Sequence, residues 1–166
     1  MSNDSEVKFN ISFFDGIRKK TLNVGWDELK GSVDFMENKL KFDRKLHIQK
    51  KYDTFMRERT DMSEHILKCE MAIDNTHSVG VSGKFVLSKN RFPYDFGTHR
   101  HYVLWIHPEC DPSIKSRFFT KHGCESEILK LSRKYSDILG DRFIVFRNAA
   151  INKSIKNIEH FHVIFY

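Results

Sequence analysis

Residues 7–13 alternate apolar and polar positions, with Phe9, Ile11 and Phe13 on one side and Lys8, Asn10 and Ser12 on the other. That two-residue period predicts a half-buried strand. Asp15-Gly16 then reads as a hairpin turn and Ile17 to Val24 as its return strand. From Trp26 the period lengthens: Trp26, Leu29, Val33, Met36 and Leu40 recur at helical spacing and predict an amphipathic helix. Ile48, Tyr52 and Phe55 repeat the spacing in a second helix, and Asp61 followed by Glu64 reads as a capping box opening a third, short helix through Met71.

The polar stretch Asn75 to Gly83 carries two glycines and is expected to be a flexible connection. Beyond it the pattern turns to strands, over Lys84 to Ser88, His101 to Ile106, Arg142 to Phe146 and His160 to Tyr166. One helix interrupts them, Glu125 to Leu139, with Ile128, Leu131, Tyr135 and Ile138 inward and Gly140 as its stop. The expected architecture is α+β in a single domain over residues 1–166: an N-terminal hairpin with helices over 1–75, then an antiparallel sheet crossed by a helix over 84–166.

Composition narrows the function classes. At 166 residues, 40% hydrophobic and 30% charged, the chain is long enough to bury one core. No run approaches the roughly 18 apolar residues of a membrane span, and the first residues are too polar for a signal peptide, so a cytoplasmic protein is expected. Cys69, Cys110 and Cys124 are odd in number and form no CxxC pair, which argues against a disulfide framework or a zinc ribbon. A formal charge of +6 and a pI near 9.2 favour polyanionic partners: nucleotides, phosphate esters or RNA.

The candidate chemistry lies in three segments, Asn90 to Glu109, Arg147 to Ile155 and Glu159 to Phe165. In a strand His160 and His162 share a face with their Cα atoms about 7 Å apart, while Phe161, Val163 and Phe165 line the other. The pair is either a nucleophile with its partner or two polar residues tolerated by a sheet. Asn148, Asn152 and Ser154 precede the strand and could hold phosphate oxygens or fix a tautomer, with Arg147 and Lys153 supplying charge. Phe92, Tyr94 and Phe96 flank Pro93 and Gly97 as an aromatic wall for a base, or as a turn plugged into the core. His101 and His107 joining the C-terminal pair would make a metal site, but no further ligand stands at helical spacing beside them, so neither metal nor cofactor is expected.

Two resemblances add to this. Trp26-Asp27-Glu28-Leu29, Asn90 to Asp95, His101 to Trp105, Ser154-Ile155 and His160 to Val163 resemble a poorly characterised family of fungal and giant-virus proteins that includes the GlcNAc-induced gene product of yeasts. That would place a viral member in the host cytoplasm. From about Lys84 onward, Asn90 and Pro93, His101, the helix from Glu125, Asn148, Ser154 and "HFHVIF" fall in the order seen in histidine-triad (HIT) nucleotide hydrolases and transferases. The resemblance implies a HIT-like sheet, His160 as nucleophile, His162 as the last triad histidine and Ser154 near the leaving group. The triad is incomplete, because Ile158 stands where the first histidine would be. The expectation is a nucleotide- or phosphate-ester-binding protein, with His160, His162 and Ser154 catalytic. Asn90, Tyr94, Phe96, His101, Trp105, Arg147, Asn148 and Lys153 would bind substrate. The alternatives are a non-catalytic RNA- or cap-binding module, with Trp105 or Tyr94 stacked on a base, and an interaction module working through the Trp26 helix or the hairpin.

Overall fold

The computed structural model describes residues 8–59, 61–71, 78–81, 85–135, 139–153 and 155–166. Val7, Thr60, Lys84, Ile138, Ser154 and parts of the Asn75 to Gly83 connection lie outside them. The N-terminal hairpin forms as the alternation predicts: β1 (Phe9–Phe14) pairs antiparallel with β2 (Lys19–Val24). The turn closes because the Asp15 carboxylate accepts the N–H groups of Ile17 and Arg18, while Gly16 takes φ 98°. A short strand, β3 (Lys41–Phe42), pairs with the other edge of β1.

The helix expected from Trp26 to Leu40 is cut short. Here α1 spans Trp26–Ser32, and the chain turns extended at Val33. The Asp34 side chain accepts the N–H groups of Met36 and Glu37, a local bond that competes with helix continuation. Residues 35–38 then run beside 147–149, with Arg147 N–H bonded to Phe35 O, Asn38 N–H to Arg147 O and Ala149 N–H to Asn38 O. The apolar spacing was genuine, but Met36 and Leu40 reach the core from a strand-like segment. The second helix, α2, spans Leu46–Arg57 and buries no residue fully. The third is α3 (Met62–His65), whose N-cap Asp61 accepts the Ser63 N–H, and it runs on into a π-turn over Ile66–Glu70. Glu64 pairs with Lys68, and among the described residues its carboxylate makes no bond back to the Asp61 N–H.

The main sheet has the order β4-β5-β6-β8-β7, with every pairing antiparallel. Its strands are β4 (Ser78–Val81), β5 (Phe85–Lys89), β6 (Arg100–Ile106), β7 (Phe143–Phe146) and β8 (His160–Phe165). The connection expected over Asn75 to Gly83 is corrected at residues 78–81, whose backbone groups find partners along β5. One face of the sheet presents Leu87, Leu104, Phe143, Phe161, Val163 and Phe165 to α4 (Pro112–Phe118) and α5 (Lys121–Lys134). The sequence had placed one helix here, starting at Glu125. Asp111 and Thr120 act as N-caps that start two, and Gly123 permits their close approach, since a Cβ there would lie 2.2 Å from the Arg117 carbonyl. The helix is described to Lys134, with Tyr135 at its C-cap; residues 136–138 of the expected final turn lie outside the described residues, and the Leu139 N–H donates to Tyr135 O.

Two lids divide the opposite face. Phe9, Ile11, Trp26 and Phe42 cover Ile144, Phe146 and Ile164, while Ile66 and Met71 cover Val86, Val103 and Trp105. The gap between the lids, roofed by α2, is the cleft described below. The fold is α+β, built on two antiparallel sheets. Among the described residues no helix is long and apolar enough to cross a membrane.

Phe161 is fully buried in β8 and stacks on Phe35 with ring centroids 5.4 Å apart. Phe161→Ala should cost about 3–5 kcal/mol, measured by urea unfolding. A cost below about 1 kcal/mol would mean that β8 is not at the centre of the core.

Candidate functional site

The cleft forms because β6 and β8 place alternate side chains on the second face. Trp105 stands opposite His160, and Val103 opposite His162. His160 and His162 therefore lie on a central strand, buried at 6% exposure each, and not at a sheet rim. Tyr52 and Phe55 descend from α2, Arg44 and Tyr94 close one side, and Met62 and Ile66 close the other. The space is narrow, about 70 Å³, room for a few waters or one phosphate group but not for a nucleotide.

His160 is held in one tautomer. Its Nδ1 lies 2.8 Å from the carbonyl oxygen of Ile158, an acceptor, so Nδ1 carries the proton and donates it. Nε2 keeps its lone pair and has no hydrogen-bond partner among the described residues, although the side chain lines the cleft. The Trp105 indole lies against the ring, with centroids 4.9 Å apart, and its own N–H donates to Ser88 Oγ. Burial pushes the His160 pKa down to about 4, and the Ile158 carbonyl opposes it only in part. The ring is thus neutral at physiological pH, with one nitrogen free to act as a base or nucleophile.

His162 and His101 form a coupled pair deeper in the sheet. His101 Nε2 and His162 Nδ1 are 2.8 Å apart. The Tyr94 backbone N–H donates to His101 Nδ1, and the Asn148 side-chain nitrogen lies 3.2 Å from His162 Nε2. The Asn148 amide is oriented by Asn38, which donates to its oxygen while bonding both the N–H and the C=O of Leu40. Two neutral imidazoles cannot satisfy all three contacts, since donors face the pair from both ends. The Tyr94 amide is fixed by the backbone, so His101 carries its proton on Nε2 and gives it to His162 Nδ1. His162 then carries its own proton on Nε2, facing the Asn148 amide donor. An added proton would find no acceptor, and burial pushes His101 down to about 3 and His162 well below its ordinary value.

Asn38→Ala would leave the Asn148 oxygen without its donor and remove both Leu40 bonds. It should cost about 1–3 kcal/mol in urea unfolding. A neutral result would show that this network does not hold the 35–38 segment against 147–149.

A profile described as "Protein of unknown function (DUF3605)" matches residues 25–166. The chain belongs to the DUF3605 family. No curated protein and no solved structure matches it. The DUF3605 segment contains every cleft residue named above, whereas the hairpin of β1 and β2 precedes it.

Nine of the residues singled out in the DUF3605 sequence line the cleft: His160, His162, Asn148, Asn152, Asn90, Phe92, Tyr94, Trp105 and Lys153. Three do not. Phe96 is turned inward by Gly97 (φ 62°) and packs against Phe9 and Phe42, so it is core and not base wall. His101 sits behind His162. Arg147 is occupied elsewhere, its Nε donating to Met36 O and its Nη1 lying 3.4 Å from Glu159. Ser154 lies outside the described residues. His99 packs between Phe9 and Trp26, and His107 accepts the Glu109 N–H after β6, so neither joins the pair. Among the described residues no three His, Cys, Asp or Glu side chains group as metal ligands.

The structure also adds residues that the sequence did not single out. Arg44 lies over the rings of Tyr52 and Tyr94, at 4.0 and 4.8 Å, and its Nε donates to Phe92 O. Nothing in the run of basic residues from Lys39 to Lys51 distinguishes it. On the other wall Glu70 is buried by the π-turn and holds His65 and Arg91, at 3.1 and 2.9 Å. Tyr52 and Phe55 had a helical signal that reads as core, and only the absence of a full cover over α2 makes them cleft residues.

Proposed function

We propose that this protein is a HIT-like binder of nucleotides or phosphate esters that hydrolyses or transfers a phosphoryl or nucleotidyl group through His160, acting in the cytoplasm. The observation that carries the reading is the tautomer of His160, with Nδ1–H committed to Ile158 O, the Nε2 lone pair unshared among the described residues, and the side chain lining a cationic, narrow cleft. In the proposed step Nε2 attacks phosphorus, a P–N bond forms, and the P–O bond to the leaving group breaks with its electrons on that oxygen. Water then attacks phosphorus, the P–N electrons return to Nε2, and a water proton goes to the departed oxygen. Lys153, 3.9 Å from Glu159, supplies charge near His160. The likeness to fungal and giant-virus proteins brings no reaction with it, so the reading stands on the cleft alone. The test is turnover of a panel of nucleoside phosphates and phosphoanhydrides by the wild type and by His160→Asn.

A binding role without turnover is favoured by one other feature, the basic surface at the cleft mouth. Lys50, Lys51, Arg59 and Arg91 surround Phe55 and Phe92 in a shallow depression. This second reading places single-stranded RNA on that surface, with affinity falling steeply as salt rises. Trp105, at 6% exposure and covered by His160, is not available to stack on a base. Absence of RNA binding at low salt would remove this reading. An interaction role for the α1 face is disfavoured because Trp26 and Leu29 are buried, whereas the hairpin keeps Phe14 and Ile17 exposed.

A further inference from the structure

The charges lining the cleft are unequally matched. Arg91 pairs with Glu70 and Lys153 with Glu159, and Lys89 is exposed to solvent. Arg44 is half-buried and has no carboxylate partner among the described residues. Its guanidinium is pinned on three sides, by Tyr52, Tyr94 and the Phe92 carbonyl, but these use only the Nε–H. Among the described residues the terminal N–H groups have no hydrogen-bond partner, and a guanidinium offers five donors in all.

The imidazole pair supplies a second, independent sign. Once the Tyr94 amide fixes the tautomer of His101, the Nε2–H of His162 faces Asn148 Nδ2 across 3.2 Å; one N–H of that amide donates to Tyr94 Oη, and the other has no acceptor between it and His162. Both side chains are buried and both line the cleft. Buried donors without an acceptor are costly, and an oxygen atom placed against both would relieve them.

Arg44, Tyr94 and Asn148 also mark where the narrow cleft meets a second hollow of about 350 Å³, walled by Lys41, Asp43 and Gln49. That hollow can accept what the inner cleft cannot.

We propose that Arg44, the Asn148 amide and the Nε2–H of His162 form an oxyanion subsite for a phosphate group of the ligand, with the rest of that ligand lying in the outer hollow. This deepens the reading of the cleft as a phosphate-ester site, and it names Arg44, from outside the segment that resembles HIT proteins, as a ligand-binding residue. A guanidinium with two further N–H donors suits an oxyanion and repels a cation, and its planar fork matches phosphate oxygens.

The test uses inorganic phosphate as the probe, with calorimetric titration and thermal melting at pH 7.5 and constant ionic strength, against chloride and acetate. Phosphate is expected to raise the wild-type melting temperature beyond either control. Arg44→Gln should weaken phosphate binding about ten- to a hundredfold. Asn148→Asp places a carboxylate where it accepts from Asn38, Tyr94 and His162, and so keeps the fold while repelling phosphate. It reports on the subsite even if Arg44→Gln unfolds. A wild type that responds no more to phosphate than to chloride or acetate overturns the subsite, as does full phosphate affinity in either Arg44→Gln or Asn148→Asp. If phosphate binds through Arg44 but His160→Asn turns over substrate normally, the subsite stands and the nucleophile falls. If His160→Asn is dead while Arg44→Gln binds phosphate as before, the reverse holds.

Discussion

His160→Asn is expected to lower turnover of the best phosphate-ester substrate by about three orders of magnitude or more, the scale of removing a covalent nucleophile. The asparagine amide can still donate to the Ile158 carbonyl, as His160 Nδ1 does, so the backbone before β8 keeps its partner. What is lost is the basic nitrogen at Nε2. The melting temperature should therefore move by only a few degrees while kcat collapses, and that split separates a chemical role from a structural one. The pH profile adds a second check. His160 stays unprotonated down to about 4, so kcat should be flat from pH 8 to 6.5, where an ordinary imidazole would already be gaining its proton. A variant that keeps wild-type activity on every substrate would remove His160 from the mechanism.

The second large effect is on stability in acid. His101, His160 and His162 are neutral when folded, with pKa values pushed to about 3, to about 4 and well below the ordinary value. In the unfolded chain each protonates near 6.5, so below that pH the unfolded state binds protons that the folded state refuses. Stability is nearly whole at pH 7.5 and drains as pH falls through about 6.5 toward the folded values. Each histidine contributes up to about 1.4 kcal/mol per pH unit, so at pH 5.5 the three together cost on the order of 4 kcal/mol. Against a typical total of about 5–15 kcal/mol this brings the chain close to unfolding. Urea midpoints at pH 7.5, 6.5 and 5.5 would measure it, with about three quarters of the fall in the lower interval. His101→Gln combined with His162→Gln should flatten the dependence. A midpoint unchanged between pH 7.5 and 5.5 would mean that the three rings are not held neutral in the interior.

Much of the fold could be read from local spacing, because a strand with one core face repeats every two residues and a buried helix every three or four. β1 falls close to where the alternation put it, β2 where the Asp15-Gly16 turn did, and β5, β6, β7 and β8 where short β-branched and aromatic runs did. The errors came where spacing is shared by two solutions. Val33, Met36 and Leu40 have helical periodicity, yet Asp34 breaks the helix and the segment finds its backbone partners at Arg147 and Ala149. Residues 78–81 read as linker because their partner is β5, beyond a second polar stretch. The π-turn that buries Glu70 has no sequence signature.

For the site, the sequence by itself determined that His160 and His162 share a face opposite Phe161, Val163 and Phe165, since that follows from the pleat alone. It also set Asn148 and Lys153 close before the strand. Only the tertiary structure decided what those imidazoles can do. The carbonyl that fixes the His160 tautomer, the His101 ring that occupies His162, the Asn38 amide that orients Asn148 and the uncompensated Arg44 come from separate segments. Proton placement and charge balance depend on distances of about 3 Å between such segments, and no periodicity along the chain encodes them.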